Sequence, residues 1–223
     1  ISGTRSFDGR CDMAWAGLVP TDIGKCVFYR GRAANPLPYR YGSGKMTVIQ
    51  GEMEYKQTEI GKSMKGLYIV TPDWDDTAKM VEITEKALRG GAEIVPYRHK
   101  TASPGLRKEQ ASALQALCRR YGKPFIINDF VELCLELDTD GIHVGGTDAP
   151  VKKVRAAVGP GKIVGASCYG DIELARKATR DGASYVAFGG FYPSRVKKYP
   201  VTTPQNIVSD WKKEMPSMPV CVI

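Results

Sequence analysis

At 223 residues and 43% hydrophobic, the chain can bury one large core, or one core with an appendage. Mean hydropathy is −0.26 and no apolar run approaches the roughly 18 residues of a membrane span, so no membrane partner is expected and a cytoplasmic location fits. The net charge of +8, from 32 basic and 24 acidic residues, forms no basic tail and no aromatic-interleaved basic motif, which argues against nucleic acid and suits small polyphosphate substrates.

Residues 1–63 hold nine glycines, clustered arginines and Pro36-Leu37-Pro38, with no sustained period beyond a short strand at Met46 to Gln50. They are read as a leader of unassigned structure: upstream translation, a linker or the end of another domain. Met64 directly precedes the first regular strand and would make a natural initiator. On that reading the leader forms no part of the core, and its removal is expected to leave stability almost unchanged.

From Met64 the texture becomes regular, and residues 64–223 form one domain. Strand Leu67 to Thr71 leads to a helix over Thr77 to Arg89, with Val81, Thr84 and Leu88 on one face and Gly90-Gly91 as its stop. Strand Glu93 to Tyr97 precedes a helix over Arg107 to Tyr121, which carries Ala111, Leu114, Leu117, Cys118 and Tyr121 at helical spacing. Strand Phe125 to Ile127 is followed by helix Phe130 to Leu137, and strand Gly141 to Val144 by helix Val151 to Val158. Strand Lys162 to Ala166 then leads to helix Asp171 to Arg180, with Asp171 as N-cap. Strand Tyr185 to Phe188, helix Gln205 to Glu214 and a strand starting near 219 complete the series.

The strands are short, partly β-branched and bounded by Gly, Pro or Asp, as buried parallel strands are. Seven strands alternating with six helices predict a TIM-type (β/α)8 barrel, α/β in class, incomplete here with strands 1–7 of 8. A doubly wound flavodoxin-like sheet is the rival fold. The eighth strand and the rim beyond the seventh would lie past Ile223. The first and last strands are then expected to keep unpaired edges and to promote association.

Polar residues follow each strand: Arg98 and Lys100, Asn128 and Asp129, Asp148, Ser167, Ser194 and Lys197. The carboxyl ends of parallel strands converge on one mouth, so these residues suggest a Mg²⁺-assisted diphosphate site. Two carboxylates, Asp129 and Asp148, suit Mg²⁺, a hard cation that takes one or two carboxylates plus phosphate oxygens. Asp129 has a plainer reading as cap of the following helix. Gly145-Gly146 would let backbone approach a ligand, and Gly189-Gly190 serves a turn or cradles a phosphate. His143, inside a strand, reads as a hydrogen-bonded core residue, and His99 points away from Arg98 and Lys100. Six scattered cysteines without CxxC spacing read as buried free thiols, and Cys168 has no histidine partner to make it a nucleophile.

The stretches GLYIVTPDW (66–74), YRHK (97–100), INDFVEL (127–133), DGIHVGGTD (140–148), VGASCYGDIELARKA (164–178) and ASYVAFGGFYPSRVKK (183–198) resemble the thiamine-phosphate synthase family, in order and from Met64 to Ile223. The resemblance implies a barrel transferase that joins hydroxymethylpyrimidine diphosphate to thiazole phosphate, giving thiamine phosphate and diphosphate. It assigns Arg98, Lys100, Asn128 and Ser167 to the pyrimidine diphosphate, and Asp129 and Asp148 to Mg²⁺. Ser194 and Lys197 are assigned to the thiazole phosphate and diphosphate, with Arg98, Lys100, Ser167 and Lys197 as catalytic groups. Two positions depart from the family: Val196 replaces a hydroxyl, and Pro96 stands where glutamine is usual and has no N–H to donate. The alternatives are a thiazole tautomerase, whose strand-five-end histidine is replaced here by Ser167-Cys168-Tyr169, and a non-catalytic phosphate-binding homologue.

Overall fold

The computed structural model describes residues 64–145, 149–192 and 203–223, together with one strand at 24–29. Its eight strands close a barrel in chain order: β1 (Gly24–Tyr29), β2 (Gly66–Val70), β3 (Ala92–Tyr97), β4 (Phe125–Asn128), β5 (Gly141–Val144), β6 (Ile163–Tyr169), β7 (Tyr185–Phe188) and β8 (Val220–Val222). The helices are α1 (Thr77–Arg89), α2 (Pro104–Arg120), α3 (Val131–Glu136), α4 (Val151–Val158), α5 (Ile172–Arg180) and α6 (Ile207–Glu214).

Neighbours from β2 to β8 are parallel, as the seven-strand series predicts. The eighth place is filled from the leader. β1 runs antiparallel to both flanking strands, with Val27 opposite Leu67 on one side and Val222 on the other. The edges of β2 and β8, expected to be bare, are therefore paired. The run GKCVFY at 24–29 carries three residues of high β propensity, Val27, Phe28 and Tyr29, but no flanking helix marks it as a barrel unit. The strand expected at Met46 to Gln50 lies outside the described residues.

Strand alternation builds two cores. Inside the barrel pack Tyr68, Ile94, Ile126, Ile163, Tyr185, Ala187 and Cys221. Between sheet and helices lie Ile69, Val95, Tyr97, Phe125, Ile127 and Val164 against Met80, Leu88, Leu114 and Leu117. Phe188, Ile207, Trp211 and Val220 continue that layer. Two strand glycines make the interior possible. A Cβ on Gly165 would stand 2.1 Å from Tyr185 Cζ, and one on Gly141 would stand 2.6 Å from Ile163 Cβ.

The helix starts follow local chemistry. Asp171 caps α5 by accepting from the backbone N–H of Glu173 and Leu174, as expected. α2 begins earlier than its apolar spacing suggests, because Ser103 caps it and Pro104 occupies its first turn. Among the described residues no helix is long and apolar enough to cross a membrane. Cys118, Cys134, Cys168 and Cys221 are buried free thiols.

Candidate active site

Strand parity carries the polar residues to the mouth. The inward-facing positions that bury Ile94, Ile126 and Ile163 continue along the same parity to Arg98 and Lys100 past β3, to Asn128 at the end of β4 and to Ser167 near the end of β6. A side-chain period of two thus delivers buried apolar groups to the barrel floor and polar groups to its carboxyl-end rim.

Arg98 is held at both ends. Its backbone N–H donates to Thr71 Oγ1 at 2.9 Å, and that hydroxyl donates to the Arg98 carbonyl at 3.2 Å. Its guanidinium Nη1 lies 2.9 Å from Asp73 Oδ2, an ion pair with the loop after β2. Nothing in the sequence marks Asp73, although it lies in GLYIVTPDW (66–74). A carboxylate one strand away gives no signal along the chain.

Lys100 Nζ lies 3.0 Å from Asp129 Oδ2, which ties the tips of β3 and β4 together. The lysine side chain is half exposed, while the aspartate's is only 14% exposed. Asp129 sits at φ 69°, inside a three-residue turn in which the Phe130 N–H donates to the Asn128 carbonyl at 2.9 Å. That backbone is strained for a residue with a side chain, at a cost of about 1–3 kcal/mol. The plainer reading of Asp129 as helix cap is set aside: α3 starts at Val131 with Phe130 as N-cap and no side-chain capping bond. The Asp129 N–H donates instead to the His143 carbonyl at 2.9 Å, fixing the turn to β5.

His143 is the buried, hydrogen-bonded core residue that its place in β5 predicts. Its partners were not legible: Nδ1 lies 2.8 Å from Tyr185 Oη, and Nε2 lies 2.8 Å from Ser167 Oγ. His99 turns outward as expected, buried beside Gln110 with Nδ1 3.2 Å from Oε1. Burial pushes the Cys168 thiol up to about 12, so it supplies no thiolate near neutral pH.

Pro96 is buried in β3, and its carbonyl accepts from the Thr71 N–H at 3.1 Å, so the strand keeps that bond although proline brings no donor. Gly190 sits at φ 80°, the Gly189 N–H donates to the Tyr169 carbonyl at 3.1 Å, and the Thr203 N–H donates to the Gly190 carbonyl at 2.9 Å. Asp148, Ser194, Val196 and Lys197 lie outside the described residues. Arg98, Lys100 and Asp129 are thus brought together at the rim, and Ser167 is linked to it through His143.

Residues 67–223 match the family model described as thiamine monophosphate synthase. A thiamine-phosphate synthase from Janthinobacterium sp. is 65% identical over 161 residues, covering 72% of this chain and 77% of that protein. Another from Nitrosospira multiformis is 44% identical over 151 residues, covering 68% of this chain and 64% of its own length. Among solved structures, a thiamine phosphate pyrophosphorylase from Pyrococcus furiosus is 34% identical with a TM-score of 0.48, covering 51% of this chain and 55% of that one.

Proposed function

The chain belongs to the thiamine monophosphate synthase family and is a transferase of thiamine phosphate synthesis, and from that premise we propose that it joins hydroxymethylpyrimidine diphosphate to thiazole phosphate at the carboxyl-end mouth of the barrel. The observation that carries this reading is the cluster of Arg98, Lys100 and Asp129 on adjacent strand tips, joined by the 3.0 Å Lys100–Asp129 pair.

The chemistry asks little of a base. When diphosphate leaves the pyrimidine methylene, the carbon keeps a resonance-stabilised positive charge and the leaving group gains negative charge. Arg98 and Lys100 stabilise that growing charge, and Asn128 and Ser167 orient the diphosphate through hydrogen bonds. Arg98, already tethered by Asp73, presents a planar donor fork without first paying to order its side chain. Ser194 and Lys197 are assigned the thiazole phosphate and the diphosphate by the same reading. The thiazole nitrogen then attacks the methylene carbon, and holding both substrates close supplies much of the remaining rate. No protein nucleophile is needed, in keeping with the protonated, buried Cys168.

Magnesium fits the donor chemistry. Among the described residues no cluster of three His, Cys, Asp or Glu forms a closed metal cage, and Mg²⁺ at a phosphate site needs only one or two carboxylates besides substrate oxygens. Asp129 and Asp148 would hold it, and when bound it would neutralise charge on the diphosphate. The buried free thiols support a reducing, cytoplasmic setting.

The test is turnover by the full chain with each substrate alone and with both. Diphosphate release and a product of thiamine phosphate mass are expected only when both are present. Rearranged thiazole phosphate without diphosphate release, or binding of the pyrimidine diphosphate with no turnover, would overturn the reading.

A further inference from the structure

A buried hydrogen-bonded chain runs up the barrel interior and ends on Ser167. Tyr68 Oη and Tyr185 Oη are 3.1 Å apart, Tyr185 Oη is 2.8 Å from His143 Nδ1, and His143 Nε2 is 2.8 Å from Ser167 Oγ. The tyrosines are 1% and 0% exposed and the histidine 4%. The imidazole is stacked on the Tyr185 ring, with centroids 5.5 Å apart, and the Tyr68 ring meets Tyr185 edge-on. Gly165 is what leaves room for the Tyr185 ring.

A neutral imidazole has one N–H, so the chain runs in one of two directions. With hydrogen on Nδ1, Nε2 accepts the Ser167 O–H, and the serine meets an anion with lone pairs alone. With hydrogen on Nε2, the Tyr185 O–H donates to Nδ1, the Nε2–H donates to Ser167 Oγ, and the serine hydrogen is left for the mouth. General donor strength favours the second arrangement. A phenol is a good donor and a poor acceptor, because its ring withdraws the oxygen lone pairs. An imidazole nitrogen accepts well, and so does an aliphatic hydroxyl.

We propose that the chain runs from Tyr68 through Tyr185 and His143 to Ser167, making Tyr185 and His143 positioning residues that hold Ser167 as a hydrogen-bond donor to a phosphate oxygen. The proposal rests on the reading of Ser167 as a diphosphate contact and adds what fixes its direction. Carbonyls, lone pairs and carboxylates would repel a diphosphate at this point, whereas a serine locked as donor attracts it.

Two measurements test it. The chain has two histidines, so ¹⁵N-labelled imidazole spectra of the full chain carry two ring systems, and His143→Gln identifies which is which. In its neutral form the His143 ring is expected to show an N–H at Nε2 and a bare nitrogen at Nδ1; the reverse tautomer overturns the relay. The second is a double-mutant cycle on kcat/KM for the pyrimidine diphosphate. A hydrogen bond to a charged oxygen predicts about a 10- to 100-fold loss for Ser167→Ala. Tyr185→Phe should lose less, and the double variant no more than Ser167→Ala alone. His143→Gln, whose amide can stand in for the Nε2 donor, should keep more activity than His143→Ala. Additive losses in the cycle overturn the relay. A wild-type rate for Ser167→Ala would instead overturn the underlying reading of Ser167, whichever tautomer the spectra show.

Discussion

Arg98 and Lys100 sit two residues apart on one side of a strand tip, yet their surroundings give them different roles. Arg98 is anchored to Asp73 and mostly covered, while Lys100 is half exposed and paired with Asp129. On the proposed reading, an arriving diphosphate would compete with Asp73 for Arg98 and with Asp129 for Lys100. Removing one charge-stabilising donor from such a site costs about 10²–10³ in rate, so Arg98→Ala should lower kcat/KM by that order in steady-state assays. Asp73→Asn, which loosens the anchor but leaves the guanidinium, should cost far less. An equal loss in both would assign Asp73 a direct role. Asp129 combines a strained backbone with a partly buried carboxylate. Asp129→Asn, and wild-type enzyme in chelator, should each lose most activity, and near-normal rates in either would sink the Mg²⁺ assignment.

At the scale of elements, β1 decides more than its six residues suggest. It closes the barrel by pairing with β2 and β8, and a chain without residues 1–63 tests whether the sheet needs it or whether a start at Met64 suffices. A chain lacking residues 1–63 should melt several degrees lower and associate through the freed edges, seen as larger species on size exclusion. An unchanged melting temperature and a monomeric profile would show that the barrel does not need β1. The interior glycines make a separate point. Gly165→Ala puts a methyl into the space of the Tyr185 ring and should cost about 1–3 kcal/mol of stability, as overpacked cores do, measurable by denaturant unfolding.

The whole molecule stores protons in its outer core. Burial pushes the Cys118 and Cys168 thiols from 9.0 up to about 12, and raises the Tyr97 hydroxyl as well. The unfolded chain releases these protons first as pH rises, so the native state binds more protons over that interval. Stability is therefore whole below about pH 9 and falls as pH climbs toward about 12, at up to about 1.4 kcal/mol per unit for each thiol. Denaturation midpoints measured from neutral to strongly alkaline pH should decline over that window. A Cys118→Ala, Cys168→Ala double variant should decline less steeply, even though its neutral-pH stability is lower. A flat profile in the parent chain would mean that these thiols are open to water.

The seven parallel strands, their helices and the order of polar strand tips were legible in the sequence, because local period, capping residues and Gly or Pro stops act within a few residues of where they are read. Helix α1 and helix α4 begin and end where their spacing says, and Asp171 caps as its position predicts. Tertiary structure alone decided the rest. The pairing of β1 joins residues about forty positions from β2 and nearly two hundred from β8, and no local pattern records a partner at that distance. The Arg98–Asp73 pair and the Lys100–Asp129 bridge depend on which strands become neighbours, and the Tyr185–His143–Ser167 chain on side chains meeting inside the barrel. A sequence names the side chains on each strand's inner face, but only closure sets which of them meet across it.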